Sequence, residues 1–243
     1  PAAAQIKDVV YATLEGGKKL GLDIYLPAGS ATPALVVWVH GGAWNAGTRA
    51  QYPQELVANG FAVASVDFRQ TSEAPFPANV HDIKAAIRFL RASAAHYGYR
   101  SERIGIAGAS SGGHLAALVG VTNGHAELEG KVGDQPQQSS SVQAIVSYFG
   151  ASNLTTILAQ STPHGHSVRK PALERLLGAA PENAPELARL ASPVFHVGSN
   201  DPPLLLLHGD QDPQMPVNQA LELQGAYEKA GPDVVLEIVH GVA

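Results

Sequence analysis

The stretch Arg103-Ile104-Gly105-Ile106-Ala107-Gly108-Ala109-Ser110-Ser111-Gly112-Gly113-His114 constrains the fold more than any other part of the chain. A short apolar run ends in Gly-Ala-Ser-Ser-Gly, and small apolar residues, Leu115 to Val119, follow at once in a helical pattern. This reads as strand, tight turn and helix, with a serine at the tip of the turn. A serine on so sharp a turn sits in a strained backbone conformation, and side chains on either flank would collide with the strand or the helix. Gly108 and Gly112 remove those side chains. The N-terminus of the following helix aims its N–H groups at the point where negative charge would develop. A bare Gly-x-Ser-x-Gly also occurs as a plain connection, so the pattern gains weight only from what accompanies it. Ser110 has both flanking glycines and Ser111 only one, which makes Ser110 the candidate nucleophile.

The accompaniment begins upstream. Val9 to Thr13 and Leu20 to Tyr25 flank Glu15-Gly16-Gly17-Lys18 as an opening hairpin, and Pro27 to Pro33 is a loop. Leu35-Val36-Val37-Trp38-Val39 is a continuous apolar run, the pattern of a strand buried on both faces of a parallel sheet. It ends in His40-Gly41-Gly42-Ala43-Trp44. Adjacent glycines there let the backbone present its N–H groups as an anion-binding hollow. The amides of Gly42 or Ala43, joined by that of Ser111, are the expected oxyanion donors. His40 is expected to brace this loop, because the motif uses backbone rather than imidazole. Trp44 is either a wall of the substrate pocket or a packing residue.

Helices are expected over 51–59 and from Asn79 to about Tyr97, around the strand Phe61–Val66. Asp67 and Arg69 are read as a structural pair, and Lys84, Arg88 and Arg91 as the solvent face of the second helix. A polar excursion, Asn123 to Ser141, precedes the strand Val142–Phe149. Residues 150–200 are proline-broken helical pieces at 153–160, 171–178 and 184–190, expected as a small lid-like insertion. His164 and His166 are read as solvated loop residues, and no metal or other cofactor is expected. Then come Pro203–His208 as a buried strand, the turn Gly209-Asp210-Gln211-Asp212-Pro213, a helix from about Val217 to Ala230, and a last strand Val234–Val239 before His240-Gly241-Val242-Ala243.

Strands alternating with helices imply an α/β fold with a mainly parallel sheet, whose ligands bind beyond the carboxyl ends of the strands. Ser110, the His40–Ala43 turn, the Asp210–Asp212 turn and His240 all fall there. Nucleophilic catalysis needs a histidine to take the hydroxyl proton and a carboxylate to orient it. Asp212 is preferred as that carboxylate, since it lies further past the strand and precedes Pro213. Asp210 is expected to cap the turn.

Bulk properties agree. With 243 residues, 45% hydrophobic and 15% charged, the chain can bury one large core. A net charge of −5 provides no basic field for nucleic acid, and no apolar run approaches the ~20 residues of a membrane span. The absence of cysteine excludes disulfides and thiol catalysis. Pro1-Ala2-Ala3-Ala4-Gln5 is either the remnant of a cleaved leader or an arbitrary boundary, and the former, implying a secreted or periplasmic protein, is favoured.

Taken together, Leu22–Pro27, His40–Trp44, Val66–Arg69, Ala74–Ala78, Gly108–His114, Leu190–Pro193, Asp201–Pro203 and His208–Pro213 resemble the α/β-hydrolase superfamily. Within it, the chain is similar to the esterase/lipase group related to bacterial feruloyl and acetyl esterases of plant polysaccharides. The resemblance spans nearly the whole chain. It implies one domain with an eight-stranded, mostly parallel sheet, an antiparallel strand near the N-terminus and helices on both faces. It also implies Ser110 as nucleophile, Asp212 as acid, and Gly42, Ala43 and Ser111 as oxyanion donors. The implied substrate is a small or carbohydrate-linked ester. The base in that group follows a small-residue turn matched here by Gly241-Val242-Ala243, which would place it one residue on and make the chain a truncated one; His240, the histidine nearest that position, is the candidate base within the sequence. A serine peptidase of the same fold and a non-catalytic binding protein are the alternatives.

Overall fold

The computed structural model describes residues 3–29 and 32–243. Pro1 and Ala2, part of the stretch read as a leader remnant, lie outside the described residues, as do Ser30 and Ala31 of the Pro27–Pro33 loop. In chain order the elements are β1 (Ala4–Thr13), β2 (Lys19–Leu26), β3 (Leu35–Val39), α1 (Gln54–Ala58), β4 (Ala62–Val66), α2 (Ala78–Ala92), α3 (Ala94–Tyr97), β5 (Ile104–Ala109), α4 (Ser111–Val121), α5 (Ala126–Glu129), β6 (Ala144–Tyr148), α6 (Ile157–Gln160), α7 (Pro163–Leu177), α8 (Pro185–Leu190), β7 (Leu204–Gly209), α9 (Asn218–Ala230) and β8 (Val234–Val239). Short 3-10 turns lie at Pro181–Asn183 and Pro193–Phe195.

The described strands form one eight-stranded sheet in the order β1-β2-β4-β3-β5-β6-β7-β8. β2 pairs antiparallel with both β1 and β4, and every other neighbour pair is parallel. The chain steps one way from β3 to β4, then crosses back to place β5 on the other side of β3. That reversal opens a crevice beyond the ends of β3 and β5, where parallel sheets bind ligands. Val39 pairs with Gly108, so the loops after these two strands start side by side.

α4 is buried along its whole length, which its small and apolar residues permit. It packs so tightly on β6 that a Cβ on Gly120 would lie 2.5 Å from Ile145 Cγ1. α2, α4 and α9 share one face of the sheet: α2 packs on α4, and the Pro193–Phe195 turn lies against α4 and α9. The opposite face carries α1. Beside it Leu56, Phe61, Val36, Ala107, Val146 and Tyr148 line an apolar groove of about 530 Å³.

Lys84 and Arg88 do not face solvent; both are buried and converge on Glu129, with Lys84 Nζ donating to Oε1 at 2.8 Å and Arg88 Nη1 to Oε2 at 3.2 Å. Asp67 and Arg69 do not pair with each other. Arg69 binds Asp82, while Asp67 takes Arg49. Finally, α7 begins at Pro163 rather than near Pro171, so His164 and His166 stand exposed on its first turn rather than in a loop. Proline at the first helical position forfeits no hydrogen bond, and the Thr162 hydroxyl caps the helix by accepting from Gly165 N at 3.0 Å.

Candidate active site

Ser110 sits at φ 56° and ψ −122°, a conformation that costs a non-glycine residue about 1–3 kcal/mol. Its surroundings hold it there. The Ser110 amide donates to Tyr148 O at 2.9 Å, and its carbonyl accepts from His114 N at 3.0 Å. The glycines are required by contact. A Cβ on Gly112 would lie 2.5 Å from His40 O, and one on Gly108 would lie 2.5 Å from Gly112 C and 2.8 Å from Val39 O. Because Ser110 spends its amide on the sheet, Ser111, the first residue of α4, supplies the first N–H at the helix mouth without an intrahelical acceptor.

The loop after β3 folds over beside this turn. Gly42, Ala43 and Trp44 all have positive φ, at 122°, 52° and 60°. The amides of Asn45 and Ala46 both donate to Gly42 O, at 3.0 and 2.9 Å, closing the loop on itself. Among the described residues the Gly42 and Ala43 amides donate to no protein acceptor. Gly41 lies so close to the serine turn that a Cβ there would be 2.8 Å from Ala109 O and 3.4 Å from Ser110 Cβ. His40 is buried, stacks on Phe68 with ring centroids 4.6 Å apart and donates from Nδ1 to Gly41 O at 2.8 Å. A cavity of about 380 Å³, lined by Trp38, His40, Gly41 and Ala109 with Gln51 to Pro53, opens at this junction. Arg49 ties the far end of the loop down: its guanidinium binds Asp8, Asp23 and Asp67, and its amide donates to Asp67 at 2.9 Å.

Trp44 does not line an open pocket. Its side chain is 1% exposed and meets His114 edge-on, with Nε1 donating to His114 Nδ1 at 3.0 Å. Of the two readings of this residue, packing is the one its position supports. His114 in turn donates from Nε2 to Ala191 O at 2.7 Å. One neutral imidazole therefore joins the loop after β3, the helix after Ser110 and the 185–195 segment. Burial pushes its pKa down to about 4, with the Ala191 bond opposing that shift and the Arg169 charge reinforcing it. The unfolded value is about 6.5. Stability from this group is therefore complete above pH 6.5 and is lost as the pH falls towards 4, on the order of 3 kcal/mol. Ring-proton NMR should show His114 titrating well below pH 5.5; a midpoint near 6.5 would contradict the buried neutral bridge.

The two carboxylates of the β7–α9 turn make contacts opposite to those expected. Asp212 Oδ1 accepts from Gln214 N and Met215 N, each at 2.8 Å, and so shapes the turn. Asp210 instead binds His240 Nδ1 at 2.8 Å and Gly241 N at 2.7 Å. The His240 side chain is 83% exposed. It stands at the end of β8, three strands from β5, or about 14 Å at ordinary strand spacing. The structure thus brings His240 to Asp210 and places neither in hydrogen-bond contact with Ser110.

The sequence reading missed Arg169 of α7. This buried guanidinium packs over the Trp44 ring, with Cζ 5.8 Å from its centroid, and donates from Nη2 to Gln214 O at 3.4 Å. Thr162 Oγ1 donates to Pro213 O at 2.9 Å, and Gly165 is pressed against the same carbonyl. No local pattern marks these residues, because their partners lie about 45–51 positions away.

This sheet, with a strained serine between strand and helix and a folded amide loop beside it, is an α/β-hydrolase fold of the esterase type. The family model described as BD-FAE matches residues 22–227, and the chain belongs to that family. It is 33% identical to Esterase LipQ of Mycobacterium tuberculosis over 245 aligned positions, which cover 96% of this chain and 55% of that protein. Among solved structures, a truncated carbohydrate esterase from gut microbiota superposes with a TM-score of 0.84 at 34% identity, covering 98% of this chain and 88% of that one. An acetyl ester-xyloside bifunctional hydrolase from Caldicellulosiruptor lactoaceticus gives 0.77 at 25% identity, covering 92% and 78%. The chain spans about half the length of the curated relatives it matches. No helix among the described residues is long and apolar enough to cross a membrane.

Proposed function

We propose that the protein is a serine carboxylic-ester hydrolase acting on short acyl or aryl esters, including those carried by plant polysaccharide. The observation that carries this reading is Ser110, held at positive φ beside two unoccupied amides of the Gly42–Ala43 loop. Such strain is retained where chemistry uses it. In the reaction Ser110 Oγ attacks the ester carbonyl carbon while its proton passes to an imidazole of the segment that follows β8, where the resemblance sets the base. The carbonyl oxygen becomes an oxyanion received by the Gly42, Ala43 and Ser111 amides. The alcohol leaves with that proton, and water then releases the acid by the same steps in reverse. The names of the carbohydrate and acetyl-ester relatives support the substrate class.

Asp212 is the proposed acid. Its Oδ1 is fixed by two backbone amides, and Oδ2 is left to orient an imidazole. Release of p-nitrophenol from p-nitrophenyl acetate tests the proposal. Asp212→Asn should lower turnover by about 10³–10⁴-fold. Asp210→Asn and His240→Gln should each stay within about threefold of wild type, because His240 is held on Asp210 rather than on Ser110. A large loss in His240→Gln would instead make His240 the base, reached by a rearranged Asp210 turn.

One observation favours a second reading, a ligand-binding protein on a hydrolase scaffold: among the described residues no histidine hydrogen-bonds Ser110 Oγ. An inactive wild type that still binds esters would decide for it.

A further inference from the structure

Phe149, next to the serine turn, combines a conformation and an exposure that both run against folding stability. In β6, Ile145 and Ser147 point into the α4 side of the sheet and are buried. An extended residue 149 would point the same way. Instead Phe149 adopts φ 40°, outside the comfortable range of a bulky side chain, and the residue is left 38% exposed. The backbone on either side is pinned. Phe149 N donates to Leu207 O at 2.7 Å, and Tyr148 O accepts the Ser110 amide at 2.9 Å. A Cβ on Gly150 would lie 2.7 Å from both Gly113 C and His114 N, so the chain after Phe149 is wedged against the first turn of α4. The Phe149 backbone therefore sits at a fixed place on the β6 side of Ser110, while the amide loop occupies the β3 side.

We propose that Phe149 is a specificity-determining residue, and that its ring stacks on a ring of the bound ester, either an aryl ring or the apolar face of a pyranose. This deepens the esterase reading and rests on it for the word ester. The physical grounds are that aromatic faces bind flat or ring-shaped partners with defined geometry, and that an exposed, strained aromatic beside a nucleophile contributes little to the core. Strain and lost burial are both explained if the ring is held for a ligand.

The experiment has two arms. In the first, kcat/KM is measured for phenyl acetate, an acetylated methyl xyloside, methyl ferulate and ethyl acetate, with wild type, Phe149→Leu and Phe149→Tyr. In the second, the same four esters are titrated by calorimetry or ligand-observed NMR against Ser110→Ala protein with and without Phe149→Leu. Phe149→Leu should weaken ring-bearing esters about three- to tenfold, through KM and Kd rather than kcat, and leave ethyl acetate within about twofold. Phe149→Tyr should restore the wild-type preference. Which ring-bearing ester loses most distinguishes a sugar from an aryl partner. Phe149→Gly, which suits φ 40°, should keep or raise Tm while losing the same discrimination. Equal losses on all four esters, or no binding preference for rings in the Ser110→Ala protein, would overturn the proposal. Absence of turnover by wild type would sink the esterase reading alone, since the binding arm still decides the role of Phe149.

Discussion

Ser110→Ala is expected to lower kcat for p-nitrophenyl acetate by about 10⁶-fold, the scale seen when the nucleophile of a cooperating catalytic unit is removed. The residual rate would come from the amide hollow and binding alone. Activity loss by itself does not prove the role, so a second substitution matters. The strain at Ser110 belongs to its backbone and not to its hydroxyl, so alanine relieves none of it. Glycine does. Ser110→Gly should therefore be as inactive as Ser110→Ala yet more stable than it, by about 1 kcal/mol after the entropic cost of glycine is subtracted. Urea midpoints of the two variants provide the check. If they coincide, the turn is not strained in the manner described.

Glu129→Gln is expected to destabilise the fold by about 3–5 kcal/mol, because it strips the counter-charge from two buried cations. Lys84 is fully buried and Arg88 nearly so, and Glu129 also accepts from Gly124 N and from the Ser140 hydroxyl at 2.8 Å each. Burial alone would raise the Glu129 pKa, but the Lys84 bond and charge, with the Gly124 amide and Ser140 hydroxyl, hold it below the ordinary carboxylate value. Burial pushes Lys84 down, against the pull of Glu129. A carboxylate with a depressed folded pKa contributes stability above its unfolded pKa and loses it as pH falls through the folded one. The gap between wild type and Glu129→Gln in urea denaturation should thus be widest near pH 7 and close in strong acid. A gap that persists unchanged at pH 3 would show that packing, not charge, explains the loss.

Much of the sheet was legible in the chain because parallel strands buried on both faces leave continuous apolar runs, as at Leu35–Val39 and Leu204–Leu207. The serine turn was legible for a different reason: only glycine fits at 108 and 112, so the steric demand is written in residue type. Lys84 and Arg88 were misplaced because helical periodicity sees one helix at a time, and Glu129 lies 45 and 41 positions away. The start of α7 was hidden by Pro163 and Pro171, which read as breaks although one of them opens the helix. Asp210 and Asp212 are alike in type and two positions apart, so only the fold of the turn separates them. Nothing in a single sequence announces that Phe149 takes a positive φ.

The seating of α7 on the turn after β7 has a consequence for motion and for engineering. Thr162, Gly165 and Arg169 grip Pro213 and Gln214, directly beside Asp212, and Arg169 also covers Trp44. A segment anchored in this way cannot swing clear of the crevice as an independent flap without disturbing the carboxylate turn. If Asp212 has the role proposed for it, exchanging this segment would disturb the carboxylate turn at the same time, so the two could not be altered independently.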